Sequence, residues 1–179
     1  KSFDCILSQN LAPYQGVWIN YPDELNKIKR ISLEKEVMTD LISQLPKFDL
    51  FRLKFDTEFK NWLPFHWYGF KQSTRYTYLL KDISNTEDVF KGFKESIRRQ
   101  IKKAEEQLTI ESSENIEALF LLKKQIYSDN GTKYPISEKE LKNVFSYVQK
   151  NNCGELLLAK DSNNEVHSYI LYVWDDNYA

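Results

Sequence analysis

Apolar residues recur along this chain in two rhythms. Leu25, Ile28, Ile31, Leu33, Val37, Met38, Leu41, Ile42 and Leu45 follow a helical period that ends at Pro46. Pro22, Asp23 and Glu24 suit the first turn of that helix, because proline lacks a donor that would be orphaned there and acids favour the positive end of the helix dipole. Over 48–55 the rhythm becomes an alternation. Phe48, Leu50, Arg52 and Lys54 fall on one side, Phe51, Leu53 and Phe55 on the other, which predicts a strand with its more apolar face inward. Phe3–Ser8 predicts a short strand, and Pro13 and Gly16 mark turns before the apolar-rich stretch 17–21. Asn61–Phe70 predicts a short helix or irregular turn around Pro64 and Gly69, and "STRYTYLL" from Ser73 alternates Thr and Tyr as a strand does.

Ser84 and Glu87 have capping-box spacing and lead into one apolar stripe of Phe90, Phe93, Ile97, Ile101, Ala104 and Leu108. "LTIES" predicts a strand, and Leu119, Leu122 and Ile126 a helix broken at "SDNG". A second capping box, Ser137 and Glu140, opens a stripe of Leu141, Val144, Phe145 and Val148 that ends at Asn151, Asn152 and Gly154. "ELLLAKD" and "EVHSYILYVWD" predict two strands joined by a turn at Ser162–Asn164, and a turn at 175–177 leads towards a further antiparallel strand from Tyr178. Strands and helices mix throughout, so the expected class is α/β or α+β.

With 41% apolar and 15% aromatic residues, the 179-residue chain can bury a real core. A net charge of −1 argues against bulk electrostatic binding to nucleic acid or anionic membrane, though a local basic patch is compatible with it. The two cysteines, Cys5 and Cys153, form no CxxC or disulfide framework, and the expected compartment is a reducing cytoplasm. No apolar run is long enough to span a bilayer. No export leader is visible, but the chain begins at Lys1 without Met, so a leader could precede it. Abundant Lys, Asn, Ile and Tyr with little Ala or Gly hint at an AT-rich bacterial genome.

Four segments, "NWLPFHWYGFKQSTRYTYLL" (61–80), "SIRRQIKKAE" (96–105), "APYQGVWI" (12–19) and "NGTKYPIS" (130–137), resemble the Fem-type peptidoglycan-bridge aminoacyltransferases and their relatives in the GNAT superfamily of N-acyltransferases. The resemblance implies tandem GNAT-like units with mixed, mostly antiparallel sheets and flanking helices. It implies an internal slice cut at both ends: the later part of a first unit over 1–84, a connecting basic amphipathic helix over 85–108, and the beginning of a second unit over 109–179. It further implies transfer of an acyl or aminoacyl group to an amine by the full-length enzyme, possibly in cell-wall or cell-surface chemistry. The donor would be acyl-CoA or aminoacyl-tRNA, with no tightly bound cofactor, and the acceptor a small molecule or cell-wall precursor. "INYPDELNKI" lacks a Gly-rich loop whose N–H groups could converge on a pyrophosphate, so the first unit is not expected to bind CoA. A non-catalytic ligand-binding or scaffolding module of the same fold is the alternative. Oligomeric state is open.

Arg75 lies in the predicted strand between Thr74 and Tyr76. A guanidinium buried there requires a carboxylate, phosphate or carbonyl partner. Gln72 and Tyr76, with Lys71 beside them, can add hydrogen bonds to the same ligand, which makes these four the candidate substrate-binding residues; an internal ion pair bracing two sheets is the other reading. Arg98, Arg99, Lys102 and Lys103 form a stripe in a segment, 91–106, with six positive and three negative side chains. That stripe could meet phosphates of a nucleotide-linked precursor or tRNA, or it is a solvated face laced by the i,i+4 pairs Glu95–Arg99 and Lys102–Glu106. Trp62, Trp67 and Tyr68 are expected in the core rather than as a stacking platform. His66 and His167 are isolated in sequence, so no metal site is expected. Cys153 has no base beside it, and no Ser–His–Asp arrangement is visible. Glu155, Asp175 and Asp176 are available as bases, but surface solvation or turn formation explains each as well, and no catalytic residue is assigned.

Overall fold

A computed structural model describes residues 3–175 as a mixed α/β chain in two compact units, Lys1–Thr77 and Tyr78–Ala179. That division places the basic helix in the second unit. Among the described residues no helix is long and apolar enough to cross a membrane. The expected strand from Tyr178, and the carboxylate of Asp176, lie outside the described residues.

In the first unit β1 (Cys5–Leu7) pairs in parallel with β2 (Leu50–Arg52), Ile6 opposite Phe51. A parallel pair needs a crossover, and helix α1 (Lys27–Ser43) supplies it. The helix starts later than Pro22–Glu24 suggests. Glu24 sits at φ 66°, which breaks a right-handed helix, and Asn26 caps instead, its side chain accepting the Lys29 N–H at 2.9 Å. Only Met38 and Ile42 of the α1 stripe are buried, and Ile28 is 77% exposed. The core forms where Met38 and Ile42 meet Phe65, from the short helix α2 (Leu63–Trp67), with Phe51, Phe55, Phe59, Phe70, Val17 and Ile19 around them. Phe51 and Phe55 thus point inward, as the alternation over 48–55 predicts. Gly16 closes on this cluster at φ 125°, with the Phe55 ring so near that a Cβ would overlap it. Trp67 and Tyr68, expected inside, are instead exposed, because a five-residue helix can aim only one side at the core and Pro64 and Phe65 take it.

A polar clasp holds the loops of this unit to α1. Glu34 accepts from the Tyr21 hydroxyl at 2.8 Å, Arg30 Nε at 3.2 Å and Asn61 Nδ2 at 3.0 Å, and the Arg30 guanidinium lies 4.0 Å above the Tyr21 ring. Burial pushes the Glu34 carboxyl up, but the donors Asn61, Tyr21 and Arg30 together outweigh it and hold it below the ordinary value. Glu34→Ala orphans these donors and is expected to cost about 1–3 kcal/mol in denaturant unfolding. A carboxylate with a depressed folded pKa contributes fully above its unfolded value and loses that contribution as pH falls through the folded one. The stability difference between wild type and Glu34→Ala is therefore expected to shrink on acidification below about pH 4.3.

The second unit opens with α3 (Thr86–Gly92) and α4 (Glu95–Gln107). The single helix expected from Phe90 to Leu108 is two, because Phe93 and Lys94 adopt extended backbone, at ψ 151° and 146°, just after Gly92. The expected Ser84 capping box does not form. Ser84 donates to Asp82 at 2.7 Å, and Asn85 caps α3 by accepting the Glu87 and Asp88 N–H groups. Strand β3 (Thr109–Ser112) is followed by α5 (Ile116–Asp129), capped by Asn115, and α6 (Glu138–Asn151), opened by the full Ser137–Glu140 capping box. Asn152, left-handed at φ 50°, ends α6 and turns the chain into β4 (Gly154–Lys160), which runs into β5 (Val166–Val173). The sheet order is β3-β4-β5, antiparallel throughout. Ile116, Leu119, Leu141, Phe145 and Leu156 make its core, so α5 and α6 cover the sheet face that carries Leu156.

Candidate functional site

Side chains alternate across a strand, so Glu155 leaves β4 on the face opposite Leu156. The register brings it opposite Tyr172 of β5, while Ser112 of β3 pairs with Leu157. Ser112 Oγ donates to Glu155 Oε1, and Tyr172 Oη donates to Glu155 Oε2 at 2.7 Å. The Trp174 ring lies 5.3 Å from that of Tyr172. Glu155, Tyr172 and Trp174 are half-buried and Ser112 is exposed. The hydroxyls of Ser112 and Tyr172 hold the Glu155 carboxyl below its ordinary value, and the hydrogen bond to Glu155, then burial, pushes the Tyr172 phenol up. The result is a carboxylate that accepts hydroxyl donors from both neighbouring strands, one of them the Tyr172 phenol that pairs with the Trp174 ring. A carboxylate held in this way suits binding of an ammonium group through charge.

The residues singled out in the sequence are placed differently. Ser73–Leu80 forms no strand: Lys71, Gln72, Arg75 and Tyr76 are all exposed, Tyr76 at 94%. The burial from which the Arg75 argument starts is absent, and none of the four makes a hydrogen bond or ion pair among the described residues. Thr and Tyr alternation gives strand propensity, but among the described residues no neighbouring strand takes up the backbone groups of this stretch. On α4, Arg98 is half-buried and donates through Nη1 to the Lys91 carbonyl at 2.8 Å, tying α4 to the last turn of α3. Arg99, Lys102 and Lys103 are exposed, and neither Glu95–Arg99 nor Lys102–Glu106 closes into an ion pair among the described residues. An open cleft of about 400 Å³ lies between 79–82 and α3, lined by Leu79, Leu80, Asp82, Val89 and Phe93 among others; none of Ser112, Glu155 and Tyr172 lines it.

His66 stands 5.1 Å from Trp62, ring to ring. His167 Nε2 lies 3.2 Å from Asp161 Oδ2 across the β4–β5 turn, and the Glu165 carboxylate joins them: one ligand atom from each of the three lies within 4.8 Å of the others. Spacing rules for metal ligands pass over this group, because Asp-x-x-x-Glu-x-His has no paired histidines or cysteines. Ser112 and Tyr172 escape sequence reasoning too, since only the strand register brings them to Glu155.

No family model matches the chain, and no curated protein or solved structure matches it.

Proposed function

We propose that the chain is part of an N-acyltransferase of the Fem/GNAT kind and that its second unit offers Glu155 to the acceptor amine. The observation that carries this reading is the Glu155 carboxylate, clasped by Ser112 and Tyr172 on the sheet face that α5 and α6 leave uncovered. Support comes also from the element order, strand–helix–helix–strand–strand with an antiparallel β3-β4-β5 sheet, which is the order the resemblance implies for the opening of such a unit. Transfer to an amine needs the amine positioned at a carbonyl, its proton removed and the oxyanion stabilised. In this reading Glu155 captures the amine in its protonated form, the proton passes to solvent before attack, and the carboxylate then orients the neutral amine by accepting one of its N–H groups. The carboxyl is too acidic for an efficient base, so its role is binding and orientation. Acyl-CoA or aminoacyl-tRNA is the donor and a small-molecule or cell-wall precursor amine the acceptor. Exposed Arg99, Lys102 and Lys103 are the phosphate contacts that remain open to a nucleotide-linked ligand.

Thermal-shift screening of the full-length polypeptide against acetyl-CoA, free CoA and UDP-linked muropeptides tests this. A ligand that binds only the folded form raises the melting point, so the stabilising compound identifies donor or acceptor. A flat response to all three sinks the reading, and binding without turnover points to the non-catalytic module. With an active donor pair, Glu155→Gln is expected to raise KM for the amine roughly tenfold with a smaller change in kcat, because the charge that captures the incoming ammonium is lost while the amide oxygen can still accept an N–H of the neutral amine.

A further inference from the structure

At the tip of the β4–β5 hairpin, two carboxylate oxygens of Asp161 and Glu165 and one imidazole nitrogen of His167 lie within 4.8 Å of one another. Asp161 Oδ1 accepts backbone N–H groups from Asn163 and Glu165, both at 2.9 Å. Those two bonds fix the carboxylate and leave Oδ2 facing His167 Nε2 at 3.2 Å. This is a hydrogen-bonding distance, and ligand atoms on a tetrahedral zinc sit about 3.3 Å apart, so an ion could replace the shared proton with little movement of the pair. Glu165 is exposed and its carboxylate makes no hydrogen bond or ion pair among the described residues, so it can rotate to close the remaining distance.

We propose that Asp161, Glu165 and His167 form a three-ligand site for one divalent transition-metal ion of the zinc type, with its outer position left to water. The donor set sets the class of ion. A neutral imidazole with two carboxylates suits zinc, cobalt or nickel, whereas magnesium and calcium take oxygen ligands. The backbone bonds to Asp161 act as the outer support that orients a ligand before the ion arrives. Within the fold, the ion would join the end of β4 to the start of β5 and pin the turn. An Asp161–His167 pair alone could also brace that turn, but such a brace has no use for Glu165, and this is where the two roles part.

The test is isothermal titration of the chelator-stripped protein with zinc chloride and with magnesium chloride, together with histidine-ring NMR. Wild type is expected to bind one equivalent of zinc, with the His167 Nε2 resonance shifting in step, and to show no saturable magnesium binding. His167→Ala is expected to abolish zinc binding. Glu165→Gln is expected to weaken it about tenfold or more while leaving the melting temperature of the metal-free protein unchanged. The proposal is overturned if zinc shows no saturable one-to-one binding. It is overturned equally if binding survives in the His167→Ala protein, if Glu165→Gln leaves it unaltered, or if the His66 resonance moves in place of that of His167.

Discussion

Replacing Phe65 by alanine is expected to lower the stability of the first unit by about 3–5 kcal/mol. Phe65 is 6% exposed and is the ring around which the others gather: its centroid lies 5.2 Å from Phe55, 5.4 Å from Phe70 and 6.2 Å from both Phe51 and Phe59. Three of those contacts, with Phe55, Phe59 and Phe70, are edge-on, the geometry in which ring quadrupoles attract. Truncation removes the apolar area and leaves a hole whose walls come from α1, β2 and the loop around Phe59. These belong to different elements, so no single side chain can swing in to fill it. Three of the four tryptophans, Trp18, Trp62 and Trp67, lie in this unit, so denaturant unfolding followed by their fluorescence reads the change. Trp67→Ala is the contrast. Trp67 is the larger ring but is 57% exposed, and it touches charge, with Lys35 Nζ 5.2 Å from its centroid, so its loss should cost well under half as much. Equal costs at the two positions would mean that the phenylalanine cluster is not the core of the unit.

That contrast shows what was readable beforehand and what was not. Hydrophobic period placed α1, β2, α5, α6, β4 and β5, because each buries one face and a buried face imposes its rhythm on the sequence. It failed where burial did not follow pattern. "STRYTYLL" has the composition of a strand, yet a strand also needs a neighbour to take up its backbone groups, and that is not written in the segment itself. The stripe through Phe90 and Ile97 has helical period across Gly92, but α3 and α4 bury no residue, so packing exerts little force to keep the period in one helix. The Glu155 cluster was half legible. Its carboxylate could be named from the chain, but its partners follow from the register, and the register carries a bulge between Ala159 and Lys160. Continuing the Lys160–Val166 pairing without that extra residue would set Glu155 opposite Leu171, which faces the core. The bulge moves Tyr172 into place, and a one-residue slip of this kind exchanges the two faces of a strand.

Gly154→Ala is expected to destabilise the second unit by about 2–3 kcal/mol and to loosen the Glu155–Tyr172 contact. A Cβ built at Gly154 would stand 2.6 Å from the carbonyl oxygen of Tyr172 and 2.7 Å from Val148 Cγ1, both nearer than real Cβ atoms come. Neither neighbour yields easily. The carbonyl belongs to β5, paired with β4 along its length, and Val148 is 3% exposed on the inner face of α6. To admit the methyl group, β5 must draw away from β4 at the end where Glu155 and Tyr172 pair, or α6 must lift from the sheet. Either movement works against the Tyr172 hydroxyl bond that helps hold the Glu155 carboxyl ionised. Loss of stability should therefore be accompanied by a Tyr172 phenol that titrates closer to its ordinary value, measurable by absorbance or tyrosine-ring NMR. Gly92→Ala is the matched control, since among the described residues nothing lies within 4 Å of the position its Cβ would take and a helical glycine gains from the change. A Gly154→Ala protein as stable as wild type, with Tyr172 titrating unchanged, would show that β4 and β5 do not approach as closely there as the fold requires. The geometry assigned to Glu155 would then fall with it.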